Sequence, residues 1–334
     1  MTTISVFGAG AWGGALAFTA ARAGHKTILW DNEESRAIQL RKKREIFDRL
    51  PGIPLPQDMV ITSDPTEACA ADIILLVMPA QVMRQALQFF RPHLRPESYF
   101  VICSKGIEIS SGSLMTEVVR DVLPEHGLSV LSGPNFATEV AQGLPAASTL
   151  ASEDLSTARM LASTLSHPGF RIYPCEDVTG VALAGALKNV IAIAAGIATA
   201  AGLGENARAA LITQGLNEMT RFGLSRGARE ETFLSMAGMG DLLLTCASSL
   251  SRNFSFGLDI GRTGEVSLSA NAPLVEGYYT AKIVCSLAAK ANVDMPVCET
   301  VYRILYDAAP PEEAMRELMA HPLNRERPNG LLAG

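Results

Sequence analysis

A short apolar run at residues 4–7 leads into a glycine-rich turn that opens an alanine-rich helix pattern, in the sequence ISVFGAGAWGGALAFTAARAG. Gly8, Gly10 and Gly13 have the spacing G-x-G-x-x-G. After a strand and before a helix, this spacing permits a tight turn, close approach of a pyrophosphate to the backbone, and close helix packing, while the first helix amides face the phosphates. The pattern predicts a dinucleotide-binding unit. A glycine turn that merely packs a helix on a strand is the alternative.

The next strand pattern, KTILWD, ends in Asp31. A carboxylate at this point can accept hydrogen bonds from the adenosine ribose hydroxyls and repel a 2′-phosphate. Glu33 and Glu34 add negative charge, whereas Arg36 and the basic run at 41–44 offset it if the chain folds back. We therefore expect NAD to be preferred over NADP as the cofactor. An exposed acidic turn without a ligand is the alternative.

Five further strand patterns alternate with helical segments before residue 177: DIILLVM, SYFVIC, LSVLSG, ASTLAS and RIYPC. This alternation predicts an α/β fold with a doubly wound, mostly parallel sheet of the Rossmann type. From there on the patterns are helical only. We expect a dinucleotide-binding domain over 1–177 and an all-α substrate and catalytic domain over 178–334.

Three segments follow predicted strands and so are expected at the carboxyl edge of the sheet, where ligands of such folds bind: 77–81, 104–108 and 132–136. Lys105 is the cation among them. Its position predicts contact with a substrate anion, unless it is an ordinary surface lysine.

Composition limits the kinds of ligand that the chain binds. The 334 residues are 48% hydrophobic, enough for two cores, and the net charge of -6 argues against a nucleic-acid surface or a polybasic membrane patch. The six cysteines show no CxxC spacing and the five histidines are scattered, so we expect structural thiols and neither a metal nor a Cys/His or Ser/His mechanism. No signal-peptide pattern precedes the first strand, which favours a cytoplasmic location.

The first helix predicted for the second domain, from about Asp177 to Gly202, is apolar on every side yet carries Lys188 and Asn189 at its centre. Residues three and four positions away from Lys188 on this helix are not acidic, so a partner must come from elsewhere. An ammonium near a substrate oxygen would explain a buried charge. Exposure of the amine at the domain surface is one alternative, and a membrane span is the other.

A second polar cluster lies in SMAGMGDLLLTCASSLSRNFSFG, residues 235–257. Gly238 and Gly240 predict a flexible turn, and Asp241 is either a site carboxylate or the N-cap of the next helix. The sequence Ser-Arg-Asn at 251–253 groups donors of the kind that bind phosphate, although a solvated turn has the same composition.

These segments together resemble the soluble glycerol-3-phosphate dehydrogenases that use NAD or NADP. The motifs GAGAWGGALA, SKGIE, SGPNFATEV, ALKNVIAIAAGI, GMGDLLLTC, SRNFSFG and VEGYYTAK occur in the family's order over most of the chain. The resemblance implies a helical second domain of the 6-phosphogluconate-dehydrogenase-like type and a homodimer. It also implies reduction of dihydroxyacetone phosphate to sn-glycerol 3-phosphate for phospholipid synthesis.

The resemblance also implies roles for individual residues. Lys188 is implied as the catalytic lysine, with Lys105 and Asp241 lining the active site. Substrate contacts are implied for Lys105, Gly133, Asn135, Ser251, Arg252 and Asn253. Cofactor contacts, beyond Gly8, Gly10, Gly13 and Asp31, are implied for Ala11, Trp12, Lys105, Ala137, Arg252 and Glu276.

Two positions depart from the family pattern. Asn135 stands where Ser or Thr is usual, and we expect its amide still to donate. Asn32 stands where a basic residue is frequent, which agrees with a preference for NAD.

Two other functions fit the same outline. A related two-domain reductase, of the ketopantoate reductase or 3-hydroxyacid dehydrogenase type, would pair a nucleotide domain with a helical domain and a catalytic lysine. A nucleotide-binding regulator without turnover is the non-enzymatic alternative.

Overall fold

The computed structural model describes residues 2–268 and 274–320. The remainder of the predicted helical domain, 269–273 and 321–334, lies outside the described residues.

The first part of the chain forms one eight-stranded sheet. Its strands are β1 (Thr3–Phe7), β2 (Lys26–Trp30), β3 (Val60–Thr62), β4 (Ile73–Leu76), β5 (Tyr99–Ile102), β6 (Leu128–Ser132), β7 (Ala146–Ala151) and β8 (Phe170–Cys175). The spatial order is β3-β2-β1-β4-β5-β6-β7-β8, and all neighbours are parallel except β6 and β7. This order confirms the predicted doubly wound, mostly parallel sheet.

Seven helices belong to this part of the chain: α1 (Ala11–Arg22), α2 (Glu34–Lys43), α3 (Pro65–Ala68), α4 (Met83–Phe90), α5 (Met115–Val122), α6 (Ala137–Gln142) and α7 (Leu155–Leu165). Short 3-10 turns lie at Ala80–Val82 and Arg91–His93. Helices on both faces of a mostly parallel sheet favour continuous apolar runs in its central strands. β4 illustrates this, with all four of its residues buried.

After β8 the described residues form helices and no strand. They are α8 (Val178–Ala200), α9 (Gly204–Ser225), α10 (Glu230–Phe233), α11 (Asp241–Ala247), α12 (Arg252–Thr263), α13 (Glu276–Lys290), α14 (Pro296–Tyr306) and α15 (Pro311–Ala320). A π-helical turn over Met236–Gly240 leads directly into α11. The predicted all-α second domain is therefore present over the described residues.

Helix α8 is the core helix of this second part. Its length and composition would allow it to cross a membrane, but 94% of its most apolar 18-residue stretch is buried inside the protein. Core helices of globular domains have the same property. Its glycines permit close packing, because a Cβ on Gly196 would lie 2.2 Å from the carbonyl oxygen of Phe254 in α12.

The chain separates into two compact units, residues 1–105 with 113–178, and residues 106–112 with 179–334. Residues 106–112 therefore group with the helical unit, although the sequence placed them in the dinucleotide-binding domain. Gly112 explains this grouping in part, since a Cβ there would lie 3.1 Å from Leu287 in α13. Such a contact joins segments that are distant in sequence, and no local pattern encodes it.

Candidate active site

The glycine turn after β1 has the geometry that a dinucleotide pyrophosphate requires. Gly8 has φ +121°, a conformation that side chains rarely adopt, and a Cβ on Gly13 would lie 1.8 Å from the Gly8 carbonyl oxygen. Gly10 is exposed and a Cβ there would meet no heavy atom within 4 Å. No side chain caps the start of α1, so the amides around Ala11 and Trp12 remain available to an anion. The residues present therefore fit the dinucleotide.

Lys105 and Gly133 lie together at the carboxyl edge of the sheet. The Lys105 ammonium donates to the Gly133 carbonyl oxygen at 3.2 Å. Gly133 has no space for a side chain, because a Cβ would lie 2.7 Å from the Ser148 Cα atom. Ala137, another predicted cofactor residue, is the first residue of α6. The segments that follow β5 and β6 therefore lie at the same edge of the sheet, as the sequence predicted. The binding roles of these residues remain predictions.

The Asn135 amide, which is expected to donate to a ligand, makes hydrogen bonds within the protein, and its binding role remains a prediction. Its Nδ2 atom donates to the Ser148 Oγ at 2.7 Å and to the Ala147 carbonyl oxygen at 3.2 Å. The amide nitrogen is thus directed at β7, and the Oδ1 atom is buried without a hydrogen-bond partner among the described residues. The physical reason is that β7 runs antiparallel beside β6, which brings its polar groups next to the loop that carries Asn135.

Asp31 lies at the end of β2, as predicted, but its carboxylate is already engaged. Its Oδ2 accepts a charged hydrogen bond from Arg36, and its Oδ1 accepts from the Glu33 amide at 3.0 Å. Arg36 also donates to the Ala9 carbonyl oxygen within the glycine turn and to Asp48. The chain therefore does fold back over Asp31, and the offsetting cation is Arg36.

Lys188 is buried, with 7% of its surface exposed, and its ammonium donates to two groups of α11. The Nζ atom lies 2.5 Å from the Asp241 Oδ1 and 2.7 Å from the Thr245 Oγ1. Asp241 is 1% exposed. A buried charge of this kind is stable only when it is paired and hydrogen-bonded, and both conditions are met here. The carboxylate thus comes from another helix, as the spacing around Lys188 requires.

The alternative reading of Asp241 as an N-cap is wrong. Gly240 is the residue before α11, while Asp241 is its first residue and directs its carboxylate at Lys188. The predicted flexible turn at Gly238 is a packed π-helical turn, because a Cβ on Gly238 would lie 2.2 Å from the Phe233 carbonyl oxygen.

Thr245 was not identified from the sequence. It lies four residues after Asp241, so both side chains project from one face of α11. That spacing is a usable signal once Asp241 is recognised as a partner of the lysine.

An amide network joins three helices beside Lys188. Asn253 Nδ2 donates to the Asn189 Oδ1 at 2.9 Å, and the Gly277 amide donates to the Asn253 Oδ1 at 3.0 Å. A Cβ on Gly277 would lie 2.6 Å from the Asn189 carbonyl oxygen, so the start of α13 packs closely on α8. Asn253 therefore has a structural task in addition to any substrate contact.

The remaining predicted residues lie at helix starts. Ser251 is the N-cap of α12, and its hydroxyl accepts from the Phe254 amide at 3.2 Å. Arg252 is the first residue of α12 and is exposed. Glu276 is the first residue of α13. The structure thus brings Arg252 and Asn253 to a helix N-terminus, an arrangement that favours binding of an anion.

A Rossmann unit with a binding turn for a dinucleotide, followed by a helical unit with a buried lysine–carboxylate pair, defines the class of two-domain nicotinamide-dependent dehydrogenases. Comparison with known proteins narrows the class. Residues 3–158 match the family described as NAD-dependent glycerol-3-phosphate dehydrogenase N-terminus, and residues 177–316 match the corresponding C-terminus. The chain therefore belongs to the NAD-dependent glycerol-3-phosphate dehydrogenase family.

Individual members of this family match the chain over nearly its full length. The chain is 43% identical to a glycerol-3-phosphate dehydrogenase [NAD(P)+] of Rhodopseudomonas palustris (strain TIE-1), across 98% of this chain and 99% of the relative. The crystal structure of glycerol-3-phosphate dehydrogenase from Coxiella burnetii has a TM-score of 0.91 and 36% identity, covering 95% of this chain and 98% of that one. A PanE/ApbA family ketopantoate reductase from Ralstonia eutropha has a TM-score of 0.59 at 15% identity, across 94% and 99%, and shares the fold alone.

Proposed function

We propose that the chain catalyses the reduction of dihydroxyacetone phosphate to sn-glycerol 3-phosphate with NADH or NADPH. The observation that carries the proposal is the buried Lys188 ammonium, which is held by Asp241 and Thr245. Family membership supports the same reaction, since the relatives are named for it.

The nicotinamide, when bound, supplies a hydride to the ketone carbon of the substrate. The oxygen of that carbonyl then gains negative charge, and the Lys188 ammonium stabilises it and transfers a proton to it. The neutral amine is restored to the ammonium by a proton from solvent. Asp241 holds the amine in one position throughout, which lowers the cost of orienting the proton donor.

The substrate phosphate needs a cationic partner. Arg252 carries a guanidinium that can contact phosphate with two parallel hydrogen bonds, and the start of α12 adds the field of its amides. Asn253 keeps one amide hydrogen beyond its bond to Asn189. We assign phosphate binding to this helix start, and we assign Lys105, Gly133 and Asn135 as further substrate contacts.

Binding of the cofactor is assigned to the glycine turn of the first unit. Gly8, Gly10, Gly13, Ala11 and Trp12 form that turn and the first residues of α1. Ala137, Lys105, Asp31, Arg252 and Glu276 are assigned as further cofactor contacts. NAD remains the expected preference.

The cellular setting follows from the same assignment. We infer a cytoplasmic homodimer that supplies the glycerol phosphate used in phospholipid synthesis. The acidic net charge of -6 supports a role without nucleic acid or stable membrane insertion.

A substrate comparison tests the proposal. Oxidation of NADH is followed by its absorbance with dihydroxyacetone phosphate, unphosphorylated dihydroxyacetone or ketopantoate. We expect turnover with the phosphate ester, and kcat/KM on the order of a hundredfold lower without the phosphate, because its remote binding energy is lost. Equal use of the unphosphorylated ketone, or preference for ketopantoate, would contradict the proposal and favour the related reductases.

A further inference from the structure

Three charged side chains form a cluster beside the glycine turn, which we call the Arg36 clamp: Asp31, Arg36 and Asp48. Asp31 follows β2, Arg36 lies on α2, and Asp48 lies in the loop after α2. The Arg36 Nη2 atom donates to the Asp48 Oδ1 at 2.8 Å and to the Ala9 carbonyl oxygen at 3.0 Å. The clamp therefore touches the same turn that is assigned to the cofactor.

The clamp uses most of the hydrogen-bonding capacity of Arg36. Its Nε donates to the Asp48 Oδ2 at 3.2 Å and its Nη1 donates to Asp31, in addition to the two bonds from Nη2. Four of the five N–H groups of the guanidinium are thus directed at protein oxygens. An arginine in this state presents a single N–H to a ligand, instead of the pair of parallel donors that binds phosphate strongly.

The carboxylates hold the guanidinium in its charged, oriented form. Partial burial acts to raise the pKa of Asp48, but the hydrogen bonds and charge of Arg36 outweigh it and leave the pKa below its usual value. Arg49 also lies 3.4 Å from the Asp48 Oδ2, but 59% of its side chain is exposed and solvent screens its charge. Asp48 is therefore ionised at neutral pH and is available as a permanent partner of Arg36.

The position of the clamp relates it to one part of the cofactor. In dinucleotide-binding folds, the group at the end of the second strand meets the 2′ position of the adenosine ribose, and a nearby arginine accommodates a 2′-phosphate. Asp31 is at the end of β2, and Arg36 is the arginine next to it. Whether the Arg36 guanidinium can bind a 2′-phosphate therefore depends on its hydrogen bonds to Asp31, Ala9 and Asp48.

We propose that Asp48 is a positioning residue for cofactor selectivity: it holds Arg36 on Asp31 and Ala9, and so prevents the guanidinium from pairing with a 2′-phosphate. This inference rests on the proposed use of a nicotinamide dinucleotide. Its consequence is a preference for NADH that depends on a residue outside the glycine turn and the β2 end.

The test compares Asp48→Asn with Asp58→Asn, which removes the same charge from an exposed aspartate further along the chain. Asp48→Asn weakens the hydrogen bonds that position 48 accepts from Arg36, and it removes one negative charge. We expect the ratio of kcat/KM for NADPH to that for NADH to rise about tenfold, which corresponds to about 1.4 kcal/mol of selectivity. Asp58→Asn should leave the ratio within about twofold of the parent, because its carboxylate is not an acceptor for Arg36.

A double variant tests whether Arg36 causes the expected rise in the ratio of kcat/KM for NADPH to that for NADH. Asp48→Asn combined with Arg36→Gln should lose the increase, because the released guanidinium is the group that binds the 2′-phosphate. Calorimetric binding of ADP-ribose and 2′-phospho-ADP-ribose provides a readout that needs no turnover, and the ratio of the two Kd values should change in the same direction for each variant.

The outcomes separate this inference from the proposed function. An unchanged ratio in Asp48→Asn, a similar rise in Asp58→Asn, or a rise that persists in the double variant would each overturn the role of Asp48. Lack of oxidation of either cofactor with dihydroxyacetone phosphate would count against the proposed reaction instead, and the binding ratios would still report on the clamp.

Discussion

The environment of Lys188 could be predicted in part from its position in the sequence. A lysine at the centre of an apolar helix has to find its partners outside that helix, and the family resemblance implied that Asp241 lies in the same active site. The 2.5 Å separation of the two charged groups agrees with that expectation. The catalytic assignment itself stays a prediction, because a contact alone does not establish turnover.

Several contacts could not be predicted because the residues that make them are distant in the chain. The bonds of Asn253 to Asn189 and Gly277 connect three helices, and nothing in the local sequence specifies that pairing. Asp48 likewise carries no local signal, since it becomes informative only when Arg36 is seen to bridge it and Asp31. Hydrogen bonds between remote segments depend on packing that one sequence does not display.

Arg252 is predicted to bind the substrate phosphate. In Arg252→Ala the KM for dihydroxyacetone phosphate should rise on the order of tenfold or more, with a smaller change in kcat, because a charge-assisted contact made in both ground and transition states is lost. Initial rates at varied substrate concentration measure the effect. Arg262→Ala, which removes an exposed arginine from the last turn of the same helix, is the control and should leave KM near the parent value. A KM that does not change in Arg252→Ala would contradict the assignment.

At the scale of elements, the prediction of strands and helices was accurate where the pattern is periodic or continuous. Each strand pattern before residue 177 corresponds to a strand, and α8 lies within the predicted range of 177–202. The π-helical turn at 236–240 was missed because two glycines in a short segment indicate a turn, and only packing against Phe233 decides which kind. The antiparallel direction of β7 was also not predicted, since the pattern of a buried strand does not encode its direction.

Close packing of α8 on α12 is predicted to depend on Gly257. A Cβ at this position would lie 2.2 Å from the Ile193 carbonyl oxygen, and backbone cannot yield as a flexible side chain does. We expect Gly257→Ala to lower the free energy of unfolding by about 1–3 kcal/mol through overpacking. Urea unfolding followed by circular dichroism measures this. Asp259→Ala, an exposed substitution on the same helix, should have little effect, and equal stability of the two variants would contradict the packing argument.

Glu218 is predicted to make the stability of the helical unit depend on pH. Burial raises the pKa of this carboxyl group to about 8, although the Val297 and Cys298 amides and Arg221 oppose the shift and Asp294 adds to it. The folded state therefore binds a proton more tightly than the unfolded state. The resulting stabilisation is complete below about pH 4.5 and is lost as the pH rises to about 8.

The measurement for Glu218 is urea unfolding at pH 5 and pH 8. The parent protein should lose on the order of 3 kcal/mol more than Glu218→Gln over this interval, because glutamine does not titrate. A parallel pH dependence in the two proteins would show that Glu218 does not contribute.

For the whole molecule, the sequence predicted a Rossmann unit followed by a helical unit, and the structure and family membership agree with both. The exception is the segment 106–112, which groups with the helical unit through contacts such as that of Gly112 with Leu287. Cofactor binding is proposed chiefly for the first unit, and the proton donor is proposed for the second. The enzyme thus divides cofactor binding and proton transfer between its two units.

The kinetics and cofactor affinity of Lys188→Ala test that claim most directly. We expect kcat for dihydroxyacetone phosphate to fall by about 100-fold or more, since general acid catalysis and charge stabilisation are both removed. The Kd for NADH, measured by nicotinamide fluorescence, should stay within about threefold of the parent, because the glycine turn is intact. Turnover close to that of the parent enzyme in Lys188→Ala, with normal folding, would contradict the account.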